Sequence, residues 1–448
     1  MNQQIFREYD IRGLVGIDLT EESVKTLAHS IGTYFKQNNV KRVSIGYDAR
    51  ESSPIFSEIF NRAMNDSGLD VLNIGLVPTP LLYFTLFTED VDGGVMITGS
   101  HNPAEFNGLK LCLNKTTLHG EQIQEIKEIA LAGKFSDGEG EFSEKDILPD
   151  YLEFVKENIL PGNRKLKVIV DSGNVVGGIV GVPLYKMLGF EVIDIFTEPD
   201  SSFPNHHPDP TVAENMEDAI SALKKNDADL AIAFDGDGDR IVVVDENGKI
   251  IWGDELMTIF SRSILEEKPD ATFIAEVKCS QRLFDDIEKR GGKIIMWKVG
   301  HSLIKAKMNE TGAALAGEMS GHIFFADRYF GFDDAIYSGA RLLEILSHTD
   351  KNLSELIEDL PEVFNTPEIR IDCKEEKKFE IVKYLTEKFK KTNKVIDIDG
   401  VRILFDKGWG LVRASNTQPV LVLRFEAESE EALEHIQKTV ETEVYKLL

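Results

Sequence analysis

Leu230-Ala231-Ile232-Ala233-Phe234-Asp235-Gly236-Asp237-Gly238-Asp239-Arg240-Ile241-Val242-Val243-Val244 is the stretch on which the reading of the chain turns. Its two apolar runs, Leu230 to Phe234 and Ile241 to Val244, read as buried strands. Three carboxylates therefore sit on a tight loop between strands, and the two glycines let the backbone turn so that alternate Asp side chains converge. Like charges so close raise one another's pKa values unless something compensates them. A hard divalent cation does so, because three carboxylates fill half of an octahedral Mg²⁺ shell and leave positions for water or a phosphate oxygen. For an isolated Asp-x-Asp a solvated acidic turn is the simpler reading; the flanking strands and Arg240 favour a metal, with a phosphate held by both. An EF-hand is excluded. Glu246 falls at loop position twelve, but position six holds Arg240 where glycine is required.

Composition bounds the rest. A chain of 448 residues suggests three or four domains. With 77 acidic against 50 basic residues the formal net charge is −27, which argues against nucleic acid or an anionic membrane as partner. An anionic substrate then needs a local basic pocket. Cys112, Cys279 and Cys373 form neither a disulfide framework nor a CxxC metal pattern. The charged start, Met1 to Asp10, lacks a secretory core, and no apolar run reaches 18 residues. These features predict a reduced, cytoplasmic protein.

Outward from the Asp loop, helical and strand-like patterns alternate, which predicts α/β layers with mixed sheets. The predicted units are 1–145, 146–249 and 250–364, all α/β, and 365–448, a smaller α+β domain; they meet around a central cleft. The glycine- and charge-rich Gly133 to Glu144 predicts the first boundary, Asn247-Gly248 the second, and Leu360-Pro361 to Thr366-Pro367 a linker. The turn Asp171-Ser172-Gly173-Asn174 does not match a GxGxxG dinucleotide fingerprint.

Four times an apolar segment runs straight into a polar loop, and ligands bind at the carboxyl ends of strands in open α/β sheets. Besides the Asp loop these are Thr98-Gly99-Ser100-His101-Asn102-Pro103, Gly317-Glu318-Met319-Ser320-Gly321-His322 and Arg413-Ala414-Ser415-Asn416-Thr417. One loop per unit predicts a single central site. Ser100 does not lie in a GxSxG elbow and has no triad spacing; two readings stay open, a capped turn and a serine carrying a phosphoryl group, with His101 orienting or deprotonating it or making a structural hydrogen bond. Arg413 to Thr417 offers a guanidinium, two hydroxyls and an amide, which suits a phosphate. Arg424 either adds to that set or makes a strand-edge salt bridge. Glu318 and Ser320 suit sugar hydroxyls, or a plain β-turn.

Taken together, TGSHNP, DGDGDR, GEMSGH and RASNT, in this order and spacing, resemble the α-D-phosphohexomutase superfamily over essentially the whole chain. Glu318-Met319-Ser320, Glu276-Val277-Lys278-Cys279, Lys298-Val299-Gly300-His301-Ser302 and Glu8-Tyr9-Asp10-Ile11-Arg12-Gly13 resemble its bacterial phosphomannomutase/phosphoglucomutase group, whereas phosphoglucosamine mutases usually carry Gln at position 319. The resemblance implies that Ser100 is a phosphoserine and that Asp235, Asp237 and Asp239 hold Mg²⁺ together with its phosphate. It implies that Glu318 and Ser320 grip the sugar 3- and 4-hydroxyls, and that Arg413, Ser415, Asn416, Thr417 and Arg424 bind the non-reacting phosphate. Tyr9, Arg12, Lys110, Arg240, Lys278, His301 and His322 match other site positions, with Arg12, Lys110 and His322 as candidates for proton transfer. Val175 and Thr211 depart from the glycines common in relatives. The implied activity is interconversion of hexose 1-phosphate and hexose 6-phosphate, of mannose or glucose, through a 1,6-bisphosphate intermediate. Glucose 1,6-bisphosphate or mannose 1,6-bisphosphate would act as activator. The alternatives are a phosphoglucosamine mutase, a bisphosphate synthase, a metal-dependent phosphatase, or a non-catalytic phosphosugar-binding protein.

Overall fold

The two runs flanking the Asp loop are strands Leu230–Phe234 and Ile241–Val244, paired antiparallel with Phe234 opposite Ile241. The structure is a computed structural model and describes residues 1–416 and 418–448. The second sheet runs in the order Ile250–Ile251, Ile241–Val244, Leu230–Phe234, Lys167–Asp171, Glu191–Ile195. Leu230–Phe234 is parallel to Lys167–Asp171, which is parallel to Glu191–Ile195. The turn at Asn247-Gly248 thus joins two strands of one sheet.

The first and third sheets repeat this plan. Gly93–Ile97 is parallel to Arg42–Tyr47 and antiparallel to Phe106–Leu113, while Leu315–Gly317 is parallel to Thr272–Glu276 and antiparallel to Ile323–Phe325. In all three sheets the predicted loop is therefore the same connection. It leaves the carboxyl end of a parallel strand and returns along its antiparallel neighbour, the place where the sheet leaves room for a ligand. The fourth sheet is wholly antiparallel, and its loop joins Gly408–Ala414 to Val420–Ala427.

Several elements differ from expectation. Phe142–Glu144, inside the expected boundary segment, is a strand parallel to Asp70–Leu76. Phe364–Asn365, inside the expected linker, pairs with Val420–Ala427. Helices Thr79–Thr88, Glu121–Ala132, Leu148–Asn158, Glu217–Asn226 and Ala335–Ser347 were not predicted. Thr79–Thr88 shows why: every residue from Thr79 to Leu86 is buried, so the helix carries no polar stripe from which a 3.6-residue period can be read.

One apolar core is shared by the first three units, and each keeps a further cluster of its own, around Phe60, Leu223 and Ile304 respectively. The shared core runs from Leu72 and Phe84 through Tyr151, Val170, Tyr185 and Phe234 to Phe325, Tyr337 and Leu343. Phe84 of the first unit packs edge-on against Tyr151 and Phe154 of helix Leu148–Asn158, at 5.4 and 5.5 Å, and Phe154 stacks at 5.1 Å on Phe330 of the third. The fourth domain has its own core around Leu385, Leu423 and Phe425. It touches the third through a small patch of Val277, Trp409 and Leu411 and through the fully buried Arg402. That guanidinium lies 3.7 Å over the Trp409 ring and donates to the Val277 and Cys279 carbonyls at 2.7 and 2.9 Å. Among the described residues no helix is long and apolar enough to cross a membrane.

Within the shared core, Asp334 caps helix Ala335–Ser347 by accepting from the Tyr337 amide at 2.8 Å, and it accepts the Tyr151 and Tyr329 hydroxyls at 2.9 and 2.8 Å. Burial raises its pKa to about 6 although these hydrogen bonds oppose the rise. Folding therefore favours the protonated form, and this stabilisation is lost as pH rises from the unfolded carboxyl value toward about 6. Asp334→Asn should gain on the wild type by on the order of 2 kcal/mol between pH 4.5 and 7 in urea melts. A difference that does not change with pH would contradict the assignment.

Candidate active site

Ser100 follows strand Gly93–Ile97 with φ +47°, the left-handed region that L-residues seldom occupy. Its amide donates to Thr98 Oγ1 at 2.8 Å. Its hydroxyl donates to Asp235 Oδ2 at 3.0 Å, and His101 Nδ1 lies 3.1 Å from the same hydroxyl oxygen. Burial, Arg240 and Arg12 together push the His101 pKa well down, leaving a neutral imidazole. The first and second loops touch through backbone as well. A Cβ on Gly236 would lie 2.0 Å from the Ser100 carbonyl oxygen.

Asp235, Asp237 and Asp239 are fully buried, and one carboxylate oxygen from each lies within 4.8 Å of the others. Asp235 Oδ1 accepts the amides of Asp239 and Arg240, at 3.2 and 3.1 Å. Asp237 Oδ2 accepts the Thr79 hydroxyl at 2.5 Å and Lys110 Nζ at 2.6 Å, and Lys110 also donates to Asp239 Oδ2. Among the described residues, buried Asp237 Oδ1 has no hydrogen-bond partner. Burial, then the charges of Asp239 and Asp237, raise the Asp235 pKa. Burial alone would raise Asp239 too, but Lys110 and His322 hold it well below the usual range. An orphaned oxygen, three converging carboxylates and an adjacent hydroxyl fit a hard dication. A second group, Asp239, His322 and Asp333, is equally close, but Lys305 Nζ already neutralises Asp333 at 2.8 Å.

The third loop joins the same cluster. A backbone bridge pairs Arg240 with His322. His322 Nε2 faces Asp239 Oδ1 at 3.1 Å and Arg240 Nε at 3.2 Å, while Nδ1 meets Glu318 Oε2 at 2.6 Å. Burial and Arg240 lower the His322 pKa, but the two carboxylates prevail and bring it to about 9. Glu318 is held at about 2, against burial, by the His322 hydrogen bond and charge. Its Oε1 accepts the Gly300 amide at 2.7 Å, and Ser320 Oγ lies 3.4 Å from Oε2. His301 packs 5.7 Å from the His322 ring, and its Nδ1 stands 3.6 Å from Asp333 Oδ2.

The remaining predicted residues are held by partners from several domains. Arg12 donates to Asn102 Oδ1 at 2.9 Å and Asp10 Oδ2 at 2.6 Å. Lys278 pairs with Glu368 of the fourth domain at 3.0 Å. Arg413 donates to Asp399 Oδ2 at 3.1 Å, and buried Ser415 accepts Lys378 Nζ on its carbonyl at 2.6 Å. Tyr9 bridges three units, since its hydroxyl donates to the Val299 carbonyl at 3.2 Å and accepts Asn416 Nδ2 at 2.7 Å. Thr417 lies outside the described residues. Arg424 does not match the strand-edge reading, although its Nη2 lies 3.9 Å from Asp254 Oδ2. Its strand is paired on both sides, so it is no edge, and its guanidinium donates to the Lys278 carbonyl at 2.7 Å in the seam between third and fourth domains.

Sequence reasoning missed Thr79, which begins an all-buried helix, and the partners Asp333, Lys305, Asp399 and Glu368, none of which sits in a glycine-rich loop. It also missed Asp48 and Arg50, although a charged pair just past the strand Arg42–Tyr47 is a signal of the same kind as the other loops.

Models described as phosphoglucomutase/phosphomannomutase alpha/beta/alpha domains I, II and III and C-terminal domain match residues 3–137, 149–248, 252–364 and 368–443. The chain belongs to the phosphoglucomutase/phosphomannomutase family. It is 46% identical over 444 residues to a phosphomannomutase/phosphoglucomutase of Pseudomonas syringae pv. tomato, covering 99% of this chain and 95% of that protein. It is 45% identical to a phosphoglucomutase of Neisseria gonorrhoeae, covering 98% and 96%. The crystal structure of a phosphoglucomutase/phosphomannomutase family protein from Burkholderia thailandensis superposes with a TM-score of 0.94 at 40% identity, covering 100% of this chain and 98% of that one.

The contact between the first two loops is open to a direct test. In Gly236→Ala the new methyl group meets backbone, not a flexible side chain, so the loops must part. Mutase turnover should fall by about 100-fold with the fold retained, since a displacement of about 1 Å suffices for that loss. Turnover near wild type in a folded Gly236→Ala protein would show that the loops need not touch.

Proposed function

We propose that the chain is a hexose-phosphate mutase acting on mannose and glucose phosphates, with Ser100 as the phosphoryl carrier. The observation that carries the reading is the meeting of Ser100 Oγ with Asp235 across two domains, 3.0 Å apart. A binding protein needs neither the serine nor the buried carboxylates. Phosphorylated Ser100 donates to a sugar hydroxyl at C1 or C6: the P–Oγ bond breaks, a P–O bond to the sugar forms, and the hydroxyl proton leaves to a base. The resulting 1,6-bisphosphate turns over and returns its other phosphoryl group to Ser100, which closes the cycle.

The chain's own residues do the positioning. Arg12 and Arg240 present positive charge to the phosphoryl oxygens. Of the three proton-transfer candidates, Lys110 is held charged by Asp237 and Asp239, and Arg12 is paired with Asp10. His322 is oriented through Nδ1 by Glu318 and, at about 9, gives up its proton far more readily than Lys110, so it is the proton carrier we favour. Neutral His101 orients Oγ. Glu318 and Ser320 take sugar hydroxyls, with Tyr9, Lys278 and His301 along the walls. Arg413, Ser415, Asn416 and Thr417 take the non-reacting phosphate, and Arg424 acts one step back by fixing Lys278. Asp235, Asp237 and Asp239 would hold Mg²⁺, which supplies positive charge beside the phosphoryl oxygens when bound. Catalytic glucose 1,6-bisphosphate or mannose 1,6-bisphosphate would prime Ser100. We place the four functional units at 1–145, 146–249, 250–364 and 365–448, and the protein in the cytoplasm, which its three free, buried cysteines suit.

Glucose 1-phosphate and mannose 1-phosphate should turn over in coupled assays, and glucosamine 1-phosphate poorly; the reverse order would make this a phosphoglucosamine mutase. Ser100→Ala should lose about 1,000-fold or more in turnover, as expected for removal of a covalent carrier. EDTA should abolish activity, and Mg²⁺ should restore it. Persistence of wild-type turnover in either experiment contradicts the role concerned.

A further inference from the structure

We propose that Arg50 is the positioning residue that sets the backbone of the Ser100 loop, assisted from the second domain by His207. Arg50 is 3% exposed and meets the loop at its backbone carbonyls, whereas Asp235 meets it at Ser100 Oγ. A guanidinium carries five N–H groups in a fixed fork. Here all five are used. Nε donates to Asp48 Oδ2 at 3.2 Å; Nη1 donates to the Pro103 and Phe106 carbonyls at 2.6 and 2.8 Å; Nη2 donates to the Ser100 and Asn102 carbonyls at 2.7 and 2.6 Å. Four carbonyls of one seven-residue stretch thus converge on one cation, itself anchored to Asp48. Asp48 in turn accepts the Gly99 amide at 3.1 Å and the Ser53 hydroxyl at 2.6 Å.

The grip falls on the residue that needs it. Ser100 has φ +47°, which persists only where the surroundings impose it. Gly99 lets the guanidinium approach, for a Cβ there would stand 2.5 Å from Arg50 Cζ. A second contact comes from the second domain, where His207 Nε2 donates to the His101 carbonyl at 2.5 Å. Phe203 ties the two grips together, with the Arg50 guanidinium 5.5 Å from its ring centroid and the His207 ring 6.3 Å away. Neither residue touches the carboxylates or Lys110. Their shared effect is to hold the Ser100 carbonyl against Gly236, and so Oγ against Asp235, before substrate arrives.

This inference rests on Ser100 being the phosphoryl carrier, so the test follows that group itself. The full-length protein is incubated with glucose 1,6-bisphosphate, and phosphoryl gain on Ser100 is timed by intact mass, beside kcat and KM for glucose 1-phosphate and a melting curve. Arg50→Lys keeps the charge but has three donors in place of five and no planar fork. It should lower kcat and the phosphorylation rate each by about 100-fold, with KM within about threefold, because misplacement by about 1 Å is enough. His207→Ala, on a half-buried loop, removes one carbonyl contact and should lower both rates by about five- to tenfold. It decides the matter should Arg50→Lys not fold. A folded Arg50→Lys protein with wild-type kcat and phosphorylation rate, or one altered only in melting temperature or KM, overturns the proposal. So does His207→Ala with both rates unchanged. A wild-type protein that never gains the phosphoryl group overturns the mutase reading itself, and this inference with it.

Discussion

Three fully buried carboxylates within 4.8 Å of one another are the constraint around which the rest is built. In a low-dielectric interior such a cluster is tolerable only with cations against it. Lys110 reaches Asp237 and Asp239 from the first domain, and Arg240 and His322 stand on the remaining side. The second loop therefore cannot be charge-balanced by its own domain. It requires the first and third domains to be in place, which links the electrostatics of the site to the packing of the whole molecule.

That packing is uneven in a way that suits the proposed chemistry. The first three domains are fused through a continuous apolar core, so the serine, the carboxylates and the Glu318–His322 pair stay in fixed register. The fourth keeps a separate core and meets the others through Arg402, Arg424, the Lys278–Glu368 pair and the Asn416–Tyr9 hydrogen bond. Polar seams with few apolar contacts open at less expense than fused cores. A sugar that must react at one end and then at the other needs such a division, with one wall rigid and one able to lift. The acidic molecule accordingly concentrates Arg12, Lys110, Arg240, Lys278 and Arg413 at the meeting of its domains.

The loops are legible because each combines glycine or asparagine with chemistry-bearing side chains directly after an apolar run, and the Asp loop and Ser100 loop lie where that pattern puts them. Elements without such contrast are not. Thr79–Thr88 is buried on all sides and shows no period, Phe142–Glu144 is a short edge strand in a polar segment, and Phe364–Asn365 hides beside prolines. Arg424 escapes the reading for a related reason. Its neighbours in sequence are apolar strand residues, and nothing local tells that its guanidinium crosses a domain seam to the Lys278 carbonyl.

By itself, then, the chain's residue order determined the α/β alternation, the four polar loops that follow apolar strands and the family they resemble, because turn chemistry and strand patterning act over a few residues. Which loop touches which was decided only by tertiary structure. The 135-residue separation of Ser100 from Asp235, the Lys110 bridge and the five-way grip of Arg50 depend on how sheets from different domains pack. Contacts of that kind are set by the burial of surfaces far apart in the chain, and no local pattern encodes them.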